Sequence, residues 1–147
     1  MQDERLRTSL ANAVVHLFRQ VNRVHNRAFK DLGLSAEQAH ILSVLSSMGP
    51  MTVGALGKIV DLSSATLTGA IDRMEAQGLV RRVPSADDKR AFVVEPRHSA
   101  KKQAQIDAVI ATGEQQCFGH LAASERRELL RLMAKCTDHL ESDAATR

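Results

Sequence analysis

The hydrophobic residues of this chain keep a helical period almost throughout and lose it once. Between Gly78 and Ser99, spacings of three and four give way to two strand-like runs. These are Leu79-Val80-Arg81-Arg82-Val83 and Ala91-Phe92-Val93-Val94-Glu95. They flank Pro84-Ser85-Ala86-Asp87-Asp88-Lys89, which is polar and turn-rich. Two such runs joined by a charged turn predict a β-hairpin. Pro96 cannot donate to a ladder and is expected to break the second strand. One hairpin among helices predicts a mainly α fold of the α+β kind.

The helices can be placed from their stripes and caps. Leu6, Leu10, Val14, Leu17, Val21, Val24 and Ala28 form one apolar stripe, with Phe18 and His25 at its edge. Gly33 suits the end of that first helix. Ser35-Ala-Glu-Gln38 reads as a capping box opening a second helix, with Ile41, Leu42 and Leu45 inward. That helix is expected to stop at Gly49-Pro50. Met51-Thr52-Val53 is short enough for one extended bridge, and Thr52 can cap a short third helix through Ala55, Leu56 and Ile59. Ser63 caps a fourth helix that turns Leu67, Ala70, Ile71 and Met74 inward, and Gly78 sits where a left-handed residue belongs. After Ser99 a long helix carries Ile106, Val109, Ile110, Gly113 and Cys117. Beyond a break at 122–124, with Ser124 as the expected cap, a last helix carries Leu129, Leu132, Met133, Cys136 and Leu140. Its tail, Ser142–Arg147, is expected to fray.

Residues 35–95 thus read as a helix-turn-helix followed by a hairpin. The flanking helices are too apolar to stand alone, and the simplest partner is a second copy of the chain. On the fourth helix the face opposite the apolar stripe presents Ser64, Ala65, Thr66, Thr68, Gly69 and Arg73. Short side chains let a backbone approach a major groove closely, and hydroxyls suit phosphates or base edges. At the hairpin turn, Asp88-Lys89-Arg90 places two cations near a loop tip. An Arg there suits the negative potential of a minor groove. Asp88 is expected to hold the Arg90 side chain extended.

Composition agrees but does not decide. The 147 residues carry a net charge of +3, which permits a nucleic-acid partner without demanding one. Aromatic content is 3%, all of it four Phe. That is a poor stacking platform for single strands. Two cysteines make no disulfide framework. With no apolar run of membrane length and no visible leader, a cytoplasmic protein without membrane contact is expected. There is no Gly-rich phosphate loop, nucleophile elbow or His-Glu-x-x-His, so no enzyme and no cofactor are expected.

Residues 62–90 resemble the MarR-type winged helix-turn-helix regulators. The resemblance rests on the Thr66-Leu-Thr68 run, Asp72-Arg-Met-Glu75, Gly78-Leu-Val-Arg-Arg82 and the Asp87-Asp-Lys-Arg90 wing. The upstream Met51-Thr-Val-Gly-Ala-Leu56 is similar as well, and the likeness is sharp over residues 34–94. It implies a DNA-binding lobe over 34–96 between dimerisation helices at 1–33 and 97–147. It also implies a homodimer on double-stranded DNA with a pseudo-palindromic operator, most often as a repressor. By matching position, Ser63, Ser64, Thr66, Thr68 and Arg73 would face DNA from the helix, with Asp88, Lys89 and Arg90 on the wing. One departure stands out. Where the family commonly enters its long helix with Leu-Thr-x-x-Gly, this chain reads Val94-Glu-Pro-Arg-His-Ser-Ala100.

The resemblance further implies release by a small aromatic carboxylate or phenol, bound between the dimer helices and the DNA lobe. Its candidate contacts are His16, Arg19, Thr68 and Arg82, while His25 reads as a satisfied interface histidine. Two rival sensor readings involve the cysteines. Cys117-Phe-Gly-His120 and Cys136-Thr-Asp-His139 are two Cys-x-x-His pairs, a ligand set that suits tetrahedral zinc. Both thiols sit in apolar stripes, where Cys acts as a small hydrophobe, so neither metal nor oxidant sensing is the expected mode. A protein-binding winged helix without a DNA role is the remaining alternative.

Overall fold

The computed structural model describes residues 9–146. Leu6, at the start of the first stripe, lies outside them. Helix α1 spans Leu10–Phe29 behind Ser9, whose Oγ accepts the Asn12 N–H. A 3-10 turn, Lys30–Leu32, follows, and Gly33 closes it at φ 68°. Helix α2, Ala36–Met48, opens on the expected capping box. Gln38 N–H reaches Ser35 Oγ at 3.1 Å, and Ser35 N–H reaches Gln38 Oε1 at 3.0 Å. A third free donor of that helix end, Ala36 N–H, goes to Asn26 Oδ1 of α1 at 2.9 Å. The α1–α2 corner is therefore fixed by side chains from both helices.

Helix α3, Val53–Val60, is capped by Thr52, and α4, Ser64–Ala76, by Ser63. Gly78 takes φ 72°, and the chain enters β1, Val80–Pro84, antiparallel to β2, Phe92–Pro96. Arg81 faces Glu95 and Arg82 faces Val94 in the register. Pro96 is the last residue of β2, as its missing N–H requires. Met51 pairs with Val94 through both backbone bonds, at 3.2 and 2.8 Å, so the expected bridge adds a third short edge. Helix α5 covers Ala100–Phe118 and α6 covers Ala123–Ala145.

The chain divides into two compact units, one running to Ala111 and one starting at Thr112. The first holds a single core. Leu67, Ala70, Ile71 and Met74 of α4 are buried in it, as their spacing predicts. They join Ile41, Leu42 and Leu45 of α2, Leu56 of α3, Val80 and Val94 of the hairpin, and Ile106 of α5. Burial of each large side chain contributes about 1.5–3 kcal/mol. The α3–α4 turn depends on a close approach. A Cβ on Gly57 would lie 3.1 Å from the Leu62 carbonyl oxygen and 3.5 Å from Leu67 Cδ2. Gly57→Val is therefore expected to destabilise by about 1–3 kcal/mol, the usual range for overpacking. A melting temperature equal to wild type would show that the turn has slack.

The joint that departs from the family pattern has its own solution. Arg97 N–H bonds Leu79 O at 2.8 Å, and Ser99 Oγ accepts Lys102 N–H at 3.2 Å to open α5. Gln103 Oε1 meets Ser46 Oγ at 2.7 Å and His98 Nε2 at 2.6 Å, while Gln103 Nε2 donates to Asp107 at 2.8 Å. One amide thus links α2, the end of the hairpin and α5.

The second unit corrects two expectations. The last helix is not capped by Ser124, which lies within its first turn. It starts at Ala123 because the Glu125 carboxylate reaches back to Ala122 N–H at 2.7 Å and satisfies the donor a serine would have served. Nor does it end before Ser142. The helix continues to Ala145, with Ser142 Oγ and Thr146 Oγ1 donating to the carbonyls four residues back. Helix α6 buries none of its residues, so its apolar stripe is open, Leu140 at 67% exposure. Among the described residues no helix is long and apolar enough to cross a membrane.

Candidate nucleic-acid interface

Helix α4 presents what its periodicity implies. Ser63, Ser64, Thr66, Thr68 and Arg73 are all exposed, opposite the buried stripe. Ser63 and Thr66 are partly engaged already. Ser63 Oγ accepts Thr66 N–H at 3.3 Å and donates to Thr66 Oγ1 at 2.9 Å. Ser64 and Thr68 keep their hydroxyls on the open face. Arg73 lies back along the helix, with Nη1 3.4 Å from where a Cβ on Gly69 would be. The missing side chain at 69 therefore leaves a lane for the guanidinium.

Asp88, Lys89 and Arg90 are exposed in the loop between the strands. Asp88 does not act as expected. Its Oδ1 accepts the backbone N–H of Arg90 at 2.9 Å, and its carbonyl accepts Ala91 N–H at 3.0 Å. A short acceptor two residues before an N–H closes an Asx turn more readily than it reaches a distant guanidinium. Asp88 shapes the wing tip and leaves the Arg90 side chain free to extend.

The helix and wing are tied together by Arg82, a link not foreseen from the sequence. Its Nη1 meets Glu75 Oε2 and its Nη2 meets Asp72 Oδ1, each at 2.6 Å, while Glu75 Oε1 accepts the Arg82 backbone N–H at 3.1 Å. A planar fork gripping two carboxylates fixes both distance and orientation. The backbone bond from Arg82, then its side-chain bond, hold the Glu75 carboxyl below its usual range. Burial pulls the Arg82 pKa down, but bonds from Asp72 and Glu75 outweigh it and raise it overall. A depressed carboxyl stabilises the fold above its unfolded pKa and loses that contribution as pH falls through the folded one. The clamp therefore holds at neutral pH and releases below the ordinary carboxylate range. Asp72 and Glu75 are three apart on α4 with Arg82 seven residues beyond, and that spacing was the signal available in the sequence.

The four expected effector contacts stand on three different elements. Arg82 spends its fork on the clamp, Thr68 stands on the exposed α4 face, and His16 and Arg19 are exposed on α1. His16 Nε2 lies 3.4 Å from the Gln20 amide nitrogen. A cleft of about 500 Å³ opens among α1, α2, the α3–α4 corner and the middle of α5, and none of those four residues lines it. Its polar wall is Asn22, His25, Glu37, His40 and Asp61, and its apolar wall includes Phe18, Phe29, Ile41 and Ile110. His25, expected at the interface with a second copy, lines this cleft within its own chain. Its ring tilts at 57° against Phe29, and its Nε2 is buried without a hydrogen-bond partner.

Within the single chain Cys117 is half-buried and Cys136 is exposed, on a helix that buries none of its own residues. Among the described residues no three His, Cys, Asp or Glu side chains are grouped to hold a metal ion.

Known proteins place this geometry in context. Residues 34–92 match the MarR family. The chain is 32% identical to the HTH-type transcriptional repressor NicR of Pseudomonas putida, over 88% of this chain and 85% of that one. Its fold matches a cysteine-to-serine variant of MarR from E. coli complexed with operator DNA, with a TM-score of 0.76 and 23% identity, over 86% of this chain and 92% of that one. It also matches BpsR of Bordetella bronchiseptica, whose DNA binding is regulated by 6-hydroxynicotinic acid. There the TM-score is 0.77 and the identity 21%, over 88% of this chain and 94% of that one. These are regulators and not enzymes. An exposed hydroxyl-and-arginine face on α4, a wing clamped beside it and a match across the whole winged lobe identify the chain as a member of the MarR family of DNA-binding transcriptional regulators.

Proposed function

We propose that the protein is a homodimeric, sequence-specific repressor, released from a pseudo-palindromic operator by a small aromatic acid or phenol. The observation that carries the proposal is the rigid pairing of the α4 face with the wing through Arg82. Two reading elements held in one orientation suit adjacent grooves of a duplex. In this reading Ser63, Ser64, Thr66, Thr68 and Arg73 meet the major groove, and Asp88, Lys89 and Arg90 serve the minor groove. Residues 34–96 read DNA, and residues 1–33 and 97–147 make the dimer. Leu10 and Val14 of α1, and Leu130 and Leu140 of α6, are exposed apolar surface of the kind a second copy covers. The likeness to NicR supports repression, and the fold shared with BpsR supports an aromatic acid as effector.

Fluorescence anisotropy on the DNA upstream of the protein's own gene tests this, at two salt concentrations and with a panel of aromatic acids. Saturable binding to a short palindrome, lost with one acid, is the expected result. Sedimentation should give twice the mass of one chain. Arg90→Ala is expected to weaken binding and to reduce the log–log salt slope by about one per protomer. An unchanged slope would remove the wing from the interface. No sequence-preferring retention on any fragment at low salt would sink the repressor reading.

A further inference from the structure

We infer that the α1–α2 cleft takes its aromatic acid together with a proton, which is held on the imidazole of His25. This rests on the effector reading above and adds how the site recognises charge.

Among the described residues the cleft wall carries no Lys or Arg. Its titratable groups are His25 from α1, Glu37 and His40 from α2, and Asp61 from the α3–α4 corner, while α5 contributes only Ile110. With neutral imidazoles the wall bears two negative charges and nothing to balance an incoming carboxylate. An aromatic ring finds Phe18, Phe29 and Ile41, but its carboxylate finds only Asn22 and the two histidines. Imidazole is the one side chain there able to become cationic near neutral pH. Between the two, His40 is exposed, whereas His25 is half-buried and its Nε2 meets no hydrogen-bonding group among the described residues of its own chain. A buried nitrogen without a partner gains most from an anionic acceptor. The balance is simple. One proton leaves the buffer and joins a ring nitrogen of His25, the ligand stays a carboxylate, and the complex carries an imidazolium–carboxylate pair. By linkage, affinity then rises as pH falls.

Isothermal titration of the full-length protein tests this with 6-hydroxynicotinate, salicylate, benzoate and 4-hydroxybenzoate. Titrations run at pH 7 and 8 in phosphate and in Tris, whose ionisation enthalpies differ. The expected result for the acid that binds is uptake of up to one proton, seen as a buffer-dependent enthalpy. Its Kd should weaken by up to tenfold from pH 7 to 8, a limit of one linked proton. The matching neutral amide should bind without proton uptake. His25→Gln should abolish the uptake while its circular dichroism matches wild type, and His40→Gln should retain it. An acid that binds with the same enthalpy in both buffers and the same Kd at both pH values would overturn this inference and leave the effector reading standing. Failure of every acid to bind a protein that still binds its operator would overturn both.

Discussion

Ile71→Ala is expected to destabilise the protein by about 2–5 kcal/mol, the range for truncating a buried isoleucine. Ile71 has no exposed surface and sits on α4 within the cluster that holds Leu56, Leu67, Met74 and Val80. Total stabilities of such domains are about 5–15 kcal/mol, so this one truncation removes a large share. It also acts directly on function, because the same helix carries Ser64, Thr68 and Arg73 on its other face. Chemical denaturation at fixed protein concentration measures it, since a dimer's stability depends on concentration. Thr68→Ala is the matched control. An exposed substitution there is expected to change stability by no more than about 0.5 kcal/mol. A loss below about 1 kcal/mol for Ile71→Ala would mean that the core under α4 collapses to fill the cavity.

Arg82→Ala is expected to weaken operator binding by about tenfold or more, on the scale of one lost specific contact. The side chain touches no groove in this reading; it positions the wing. Without it, Asp72 and Glu75 repel each other, and only the backbone N–H of residue 82 still holds Glu75. The melting temperature should move little, because both carboxylates are largely solvated. Arg82→Lys keeps the charge but not the two-pronged geometry and should recover only part of the affinity. The salt slope separates this role from direct contact. A positioning residue lowers affinity with a nearly unchanged slope, whereas loss of a phosphate contact reduces it. Binding undiminished in Arg82→Ala would show that the wing holds its place without the clamp. Acid should reproduce the variant only below the ordinary carboxylate range, because the Arg82 bonds keep Glu75 ionised to lower pH.

The polar lining of the cleft was the least legible part. Asn22, His25 and Phe29 stand at spacings of three and four, so their shared face on α1 could be read. Their meeting with His40 and Asp61 could not, because those residues come from elements joined only by the folded corner. Asp61 shows why. It adopts φ 55° as the left-handed end of α3, a role its sequence neighbours do not announce. The four expected effector contacts followed from position within a family, which carries no information about which cavity this chain's own packing opens.

Local chemistry alone determined the helices and hairpin, the caps at Ser35, Thr52 and Ser63, the buried stripe of α4 and the hydroxyl-and-arginine face opposite it. Each depends on residues within one or two turns of one another, where spacing and hydrogen-bonding capacity suffice. Tertiary structure alone decided that Arg82 binds Asp72 and Glu75. It alone decided that Gln103 joins α2 to the hairpin's end, and that His25 faces Glu37, His40 and Asp61 across one cleft. These outcomes depend on distances between elements. The sum of many packing contacts sets those distances, and no single stretch of sequence contains it.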